Sequence, residues 1–470
     1  MAEKTKGQLL REELFYKKKN AFEVRSADEM KAAKDYAVGY AEWLDKAKTE
    51  REAVLASVEL LREAGYKEYH VGDKLAAGDR VYLVNRGKAL FAIKVGVEPI
   101  EKGIRIAAAH VDSPRLDLKQ HPLFENDGIG YFKTHYYGGV RKYQWATIPL
   151  ALHGVVVLKG GETVDVKIGD EAGDPVFCIT DLLPHLAKDQ DAKPLGAAFT
   201  GEGLNIVMAS SPYIEEDGTV TPADEKVKLT IMAILNEKYG ITETDFMSAE
   251  LSIIPVQNSA DVGLDRWLIG GYGHDDRVCA YTALTALMDN TEGEHTVMVV
   301  LADKEETGSN GITGMQCRLL ADLIEEIAHN LGGNPNTVRH NSICLSADVA
   351  AAYDPNYPEV YEKRNSALIH CGPAIAKYTG ARGKGGTNDA SAEVMAEVRR
   401  MLDGQGVLWQ TAELGKVDQG GGGTVAMYIA NHNIPTIDIG VPVLSMHAPF
   451  EVISKADLYE TYKAFDAFCK

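Results

Sequence analysis

The chain lacks paired cysteine motifs, long apolar runs and any surplus of basic residues, and each lack narrows what it can be. Its six cysteines, Cys178, Cys279, Cys317, Cys344, Cys371 and Cys469, are scattered with no C-x-x-C pair. That spacing argues against a disulfide framework or a cysteine-rich zinc site, and a reducing cytoplasm is the expected setting. The strongly apolar stretches, such as Val297 to Ala302, are too short to cross a bilayer, so no membrane partner is expected. The opening Met-Ala-Glu-Lys-Thr-Lys-Gly has charges but no apolar stretch of the signal-peptide kind. Lys plus Arg number 49 against 68 Asp plus Glu, a net charge of −19. With no basic cluster to offset that charge, nucleic acid is not an expected partner. The one low-complexity patch, Gly420 to Gly423, has no lysine after it and does not fit a phosphate-binding P-loop.

What is present is an ordinary globular composition, 45% apolar and 25% charged. At 470 residues the chain is too long for a single core, so two or three domains are expected. Ser26-Ala27-Asp28-Glu29 reads as a capping box opening an amphipathic helix with Met30, Ala33, Ala37, Tyr40 and Leu44 on one face. A second helix is expected from Thr49 to Arg62. A hairpin follows, with arms Val81–Val84 and Leu90–Ile93. Ile104 to Ala109 reads as a buried strand ending on His110. From Gln120 to Val256 the texture changes to short β-rich runs with many glycines and little helical periodicity, which suggests a separate inserted domain. After His274 strands and helices alternate: a helix after Asp275, strand His295 to Ala302, and a helix from Ile312 to Asn330. Strands Ile343–Ser346 and Ile434–Ile439 and a closing helix complete the series. That alternation predicts an α/β fold, a mostly parallel sheet with helices on both faces.

Ligands of an open α/β sheet bind beyond the carboxyl ends of its strands. Four candidate segments fall at such ends: His110-Val111-Asp112, Asp303-Lys304-Glu305-Glu306, Ala347-Asp348 and Ser445-Met446-His447. A fifth acid, Asp275, opens a helix behind Gly270-Gly271-Tyr272-Gly273. Any one of these could be a helix cap or a solvated face. Together, imidazoles and carboxylates at successive strand ends match a zinc ligand set. Adjacent glutamates can also divide labour, one binding metal and its neighbour acting as general base. Asp112 stands close enough in sequence to accept the second ring N–H of His110.

These strings resemble the M18 aminopeptidases, the aspartyl aminopeptidase and aminopeptidase I group. Ala109-His110-Val111-Asp112-Ser113-Pro114-Arg115 resembles the family's first metal motif, and Asp303-Lys304-Glu305-Glu306-Thr307-Gly308-Ser309 resembles its D-x-E-E-x-G-S segment. Ser346-Ala347-Asp348-Val349 with Asp354-Pro355-Asn356-Tyr357-Pro358 resembles the third motif, and Leu444-Ser445-Met446-His447 the fourth. The resemblance implies a two-zinc aminopeptidase, with cobalt or manganese as possible substitutes. It implies that Asp275 bridges the metals, with Asp276 as the alternative, that His110 and Asp348 complete one site, and that Glu306 and His447 complete the other. Glu305 would be the general base and Asp112 would orient His110. It further implies a discontinuous catalytic domain, 1–118 plus 258–470, and a β-rich dimerisation domain over 119–257, with dimers assembling into a tetrahedral dodecamer. Acidic N-terminal residues are the first substrate expectation, with neutral ones close behind. Ala350-Ala351-Ala352 replaces a His-Ala pair common in the family, and Ala448-Pro449-Phe450 follows His447, which suggests a divergent bacterial-type branch. The rival readings are a related two-metal deacylase or carboxypeptidase, and a catalytically silent scaffold. A silent scaffold would be expected to have lost the base or a ligand, and this sequence keeps all six residues.

Overall fold

The computed structural model describes residues 4–291 and 293–470. Met1, Ala2 and Glu3, part of the N-terminal reading above, lie outside them. Helix Ala27–Lys46 begins on the Ser26–Glu29 capping box, and helix Glu50–Glu63 begins on Thr49. Strands Arg80–Asn85 and Ala89–Lys94 form the expected antiparallel hairpin.

The centre of a nine-stranded sheet is four parallel strands: Thr296–Ala302, Ile104–His110, Ile343–Ala347 and Thr436–Gly440, in that order. Its flanks are mixed, because the hairpin and strand Ala374–Ala376 run antiparallel to their neighbours. Side chains alternate across the sheet with period two. Val297, Val299 and Leu301 pack with Val278, Leu284 and Phe465 from helices His274–Asp289 and Lys455–Cys469. Met298 and Val300 face the other way, onto Leu320, Leu323 and Ile324 of helix Leu319–Asn330. Strands that bury both faces read as continuous apolar runs, which is why this part of the fold was legible. Among the described residues no helix is long and apolar enough to cross a membrane.

A separate six-stranded antiparallel sheet is built from residues between Arg115 and Pro255. Two expectations need correction. Helix Lys226–Tyr239 lies in the stretch thought poor in helix, with Val227, Ile231 and Leu235 buried at a spacing of four. Its N-cap residue, Glu225, makes no side-chain cap; Glu125, from strand Arg115–Asn126, accepts the N–H groups of Val227 and Lys228 instead. The helix expected from Ile312 begins only at Leu319, because residues before it form a loop whose Gly314 pairs with Asp303. A further five-stranded sheet includes Leu268–Gly271, Pro442–Leu444 and Glu451–Ser454, and it carries the loop bearing His447.

Candidate metal centre

Parallel neighbours in register bring their carboxyl ends to one edge. His110 therefore lies opposite Ala302, and Asp348 emerges beside them. Helix His274–Asp289 delivers Asp275 beneath that edge, and the loop after Pro442–Leu444 delivers His447. Asp275 stands between the two histidines: Oδ1 is 3.2 Å from His110 Nε2, and Oδ2 is 3.1 Å from His447 Nε2. Asp348 Oδ1 lies 3.9 Å from His110 Nε2, and Glu306 Oε1 lies 3.7 Å from His447 Nε2. Glu305 Oε2 is 4.0 Å from His110 Nε2. Asp276 turns away and accepts the backbone N–H of His110 through Oδ2 at 3.2 Å.

The surroundings fix these groups. His110 Nδ1 lies 3.0 Å from the Asp112 carbonyl and 3.3 Å from its Oδ1. The fully buried Asp112 carboxylate also accepts the N–H groups of Glu305 and Glu306, each at 3.1 Å, and the Tyr137 hydroxyl at 2.8 Å. Lys304, with φ 67°, sets the turn that aims the two glutamates. His447 also has a left-handed backbone, φ 65°, and its N–H donates to Glu451 Oε1 at 2.6 Å. Glu451 Oε2 accepts the N–H of Asp275 at 3.0 Å. Such backbone conformations persist where surrounding contacts over-determine them.

Four carboxylates around two imidazoles distort every ionisation. Burial, reinforced by neighbouring acids, pushes Glu305 up to about 7 and raises Glu306 and Asp348 well above the carboxylate range. Burial opposes charge on His447, but its hydrogen bond to Asp275 and the charge of Glu306 prevail and push it up to about 10. His110 is raised in the same way by Asp112 and Asp275. Glu451, buried beside Asp275, is pushed up to about 8. Tyr137 is raised by burial and by Asp112, and so remains a hydroxyl donor.

Glu306 Oε1 is buried with no hydrogen-bond donor, and Asp275 Oδ1 has only the His110 ring, at 3.2 Å, to face. Carboxylate oxygens buried in that way fit a cation. The candidate ligand atoms of His110, Asp275 and Glu306 lie within 4.8 Å of one another, as do those of His110, Glu305 and Asp348. His447 falls outside both clusters, yet its 3.1 Å approach to Asp275 ties it to the same centre. Imidazole and carboxylate together suit zinc.

The centre opens into a cavity of about 410 Å³. Ala350, Ala374, Ala376, Ala412, Leu414 and Met446 give its walls an apolar character, and Glu413 and Asp438 are its carboxylates outside the cluster. Gly421, Gly422 and Gly423 line it through their backbone. Lys377 is not part of the lining. His274 is buried under the Tyr40 hydroxyl at 2.6 Å, and burial pushes it down to about 3, so it is a neutral packing group. His121, His135 and His185 are exposed in this chain. Sequence reasoning missed Tyr137, Gly139 and Glu451, and only the nearness of Glu451 to His447 offered a local signal.

The family model described as "Aminopeptidase I zinc metalloprotease (M18)" matches residues 43–469. The chain is 47% identical over 461 residues to the probable M18 family aminopeptidase 1 of Clostridium acetobutylicum, covering 96% of this chain and 97% of that one. The Thermotoga maritima counterpart is 45% identical over 455 residues, covering 95% and 98%. The crystal structure of an M18 aminopeptidase from Thermotoga maritima superposes with a TM-score of 0.91 at 43% identity, covering 97% of this chain and 100% of that chain. The S. cerevisiae mApe1 dodecamer shares the fold, with a TM-score of 0.74 at 23% identity, covering 92% of this chain and 96% of that chain.

Proposed function

The chain belongs to the M18 aminopeptidase family of zinc metalloproteases, and from that premise we propose that it removes the N-terminal residue of peptides at a two-zinc centre with Glu305 as general base. The observation that carries the reading is Asp275, whose two oxygens face the two histidines separately, at 3.2 and 3.1 Å. His110 and Asp348 would hold one zinc, Glu306 and His447 the other, with Asp275 shared. Cobalt or manganese suits the same N/O donors. When bound, the metals supply Lewis acidity, which polarises the scissile carbonyl and acidifies water. Glu305, whose carboxylate lies beside the ligand set at 4.0 Å from His110 Nε2, takes the proton of the attacking water and hands it to the leaving amine. Asp112 orients His110 and the turn carrying both glutamates.

The cavity supports a neutral, aliphatic first residue over an acidic one. Among the described residues no lysine or arginine lines it, and Glu413 and Asp438 would repel an aspartyl or glutamyl side chain. The reading includes residues 119–257 as an inserted dimerisation domain, and assembly of dimers into a dodecamer like that of mApe1. It also includes a cytoplasmic setting, in keeping with six free thiols.

The test is hydrolysis of aminoacyl-p-nitroanilides by the zinc-loaded protein. Leucyl and methionyl substrates with a free amine should be cleaved, aspartyl ones poorly, and N-acetylated ones not at all. Release of acetate from the acetylated substrates, with the anilide bond left intact, would move the chain to the deacylases. Glu305 also lies within ligand reach of His110 and Asp348. Glu305→Gln decides its role: a base variant keeps its zinc and loses turnover, whereas a ligand variant loses zinc as well.

A further inference from the structure

We propose that Tyr137-Gly138-Gly139, where strand Ile129–Tyr137 of the six-stranded sheet ends and the chain continues, is a positioning strap that holds the metal centre in register. The inference rests on the two-zinc reading and concerns how this chain keeps the centre assembled. Three consecutive residues touch three different members of the site. The Tyr137 hydroxyl donates to Asp112 Oδ2 at 2.8 Å. That oxygen also accepts the Glu306 N–H, while Oδ1 accepts the Glu305 N–H and faces His110 Nδ1 at 3.3 Å. One hydroxyl thus fixes the carboxylate on which both the histidine and the glutamate turn depend. The Tyr137 ring is itself pinned, with the Arg115 guanidinium 4.0 Å from its centroid. Arg115 in turn pairs with Glu50 at 3.0 Å and Asp117 at 2.8 Å.

Gly138 follows with φ 72°, and a Cβ there would lie 3.1 Å from Glu306 Oε2 and 3.2 Å from its Cβ. The strap therefore backs directly onto the second glutamate. The Gly139 carbonyl accepts from His447 Nδ1 at 3.0 Å, which leaves Nε2 as the nitrogen that faces Asp275 and Glu306. A Cβ on Gly139 would press on that ring, 3.0 Å from Nδ1. His447 is otherwise a loop residue, so this carbonyl sets its tautomer and orientation. The six-stranded sheet is consequently part of the site's construction.

The test compares Tyr137→Phe and Gly139→Ala with Tyr136→Phe, a neighbouring exposed tyrosine that serves as control. Zinc retention against a chelator, kcat and KM on leucyl-p-nitroanilide, and the Tm of the zinc-stripped protein are measured for each. Groups that orient a metal ligand alter affinity or activity by about 10–100-fold when removed, and Tyr137→Phe should fall at the lower end, about tenfold in both zinc affinity and kcat. KM should stay within about twofold, since positioning acts on the chemical step. Gly139→Ala should release one zinc before the other, and the control should match the parent. The zinc-free Tm should be unchanged in Tyr137→Phe. Zinc affinity and kcat equal to the parent in Tyr137→Phe would overturn the proposal. So would a zinc loss accompanied by an equal loss of zinc-free stability, which would mark a merely structural role. A parent that binds no zinc and cleaves nothing would instead refute the two-zinc reading.

Discussion

The two histidines that flank Asp275 are held in opposite ways. His110 ends a regular strand in the middle of the parallel sheet, and its side chain is 1% exposed. His447 sits in a loop with a left-handed backbone, its side chain 35% exposed, and it takes its orientation from Gly139 and Glu451. One half of the centre is thus a consequence of sheet geometry, while the other is assembled from a loop and a second sheet. Scaffold-borne ligands are held more tightly than loop-borne ones. The His110 half should therefore behave as the rigid half and the His447 half as the adjustable one.

That contrast can be broken at its shared point. Asp275→Asn removes the charge that both halves use, and the expected result is loss of both zincs and of detectable turnover. Glu305→Gln should lower kcat about 10²–10⁴-fold, the range for a lost general base, while zinc content stays at the parent level. Separating the halves, His110→Ala should lower zinc-free stability by about 1–3 kcal/mol, because it empties a buried strand position. His447→Ala, at a partly exposed loop position, should cost less zinc-free stability than His110→Ala. Equal losses in thermal melts would refute the contrast.

Metal uptake gives a pH prediction. In the metal-free centre the histidines are raised, His447 to about 10, and Glu306 and Asp348 are raised as well, so protons occupy the site near neutrality. Zinc must displace them, so its apparent affinity should climb as pH rises and loading should release protons into weak buffer. Calorimetry in buffers of different ionisation enthalpy reads that number. Stripping the metal should also lower Tm, since a ligand at a hundredfold excess over Kd contributes about 2.7 kcal/mol. The smallest effect belongs to the cavity wall. Glu413→Gln should raise kcat/KM for aspartyl substrates by about 1 kcal/mol, roughly fivefold, the worth of one like charge near solvent.

The same contrast explains what the sequence revealed. His110, Glu305, Glu306 and Asp348 follow apolar runs that announce themselves as strands, so their common edge followed from the α/β rhythm. Asp275 and His447 also stood out as candidates, but their places in the ligand set came from the resemblance to the M18 aminopeptidases, since a helix start and a residue some way past its strand carry a weaker local mark. Tyr137 and Gly139 were invisible because their roles come from contacts with Asp112 and His447, and no spacing rule encodes a strand from one sheet reaching a site on another. Helix Lys226–Tyr239 did leave a trace, Val227, Ile231 and Leu235, but its start was hidden because the capping carboxylate, Glu125, comes from a distant strand.

The most direct test of the central claim is to count zinc per subunit and measure leucyl-p-nitroanilide turnover on the same samples of parent and Glu305→Gln. Two zincs in both proteins, with turnover lost only in the variant, is the predicted result. One zinc in the parent, or a variant that keeps its turnover, would contradict a two-zinc centre served by Glu305.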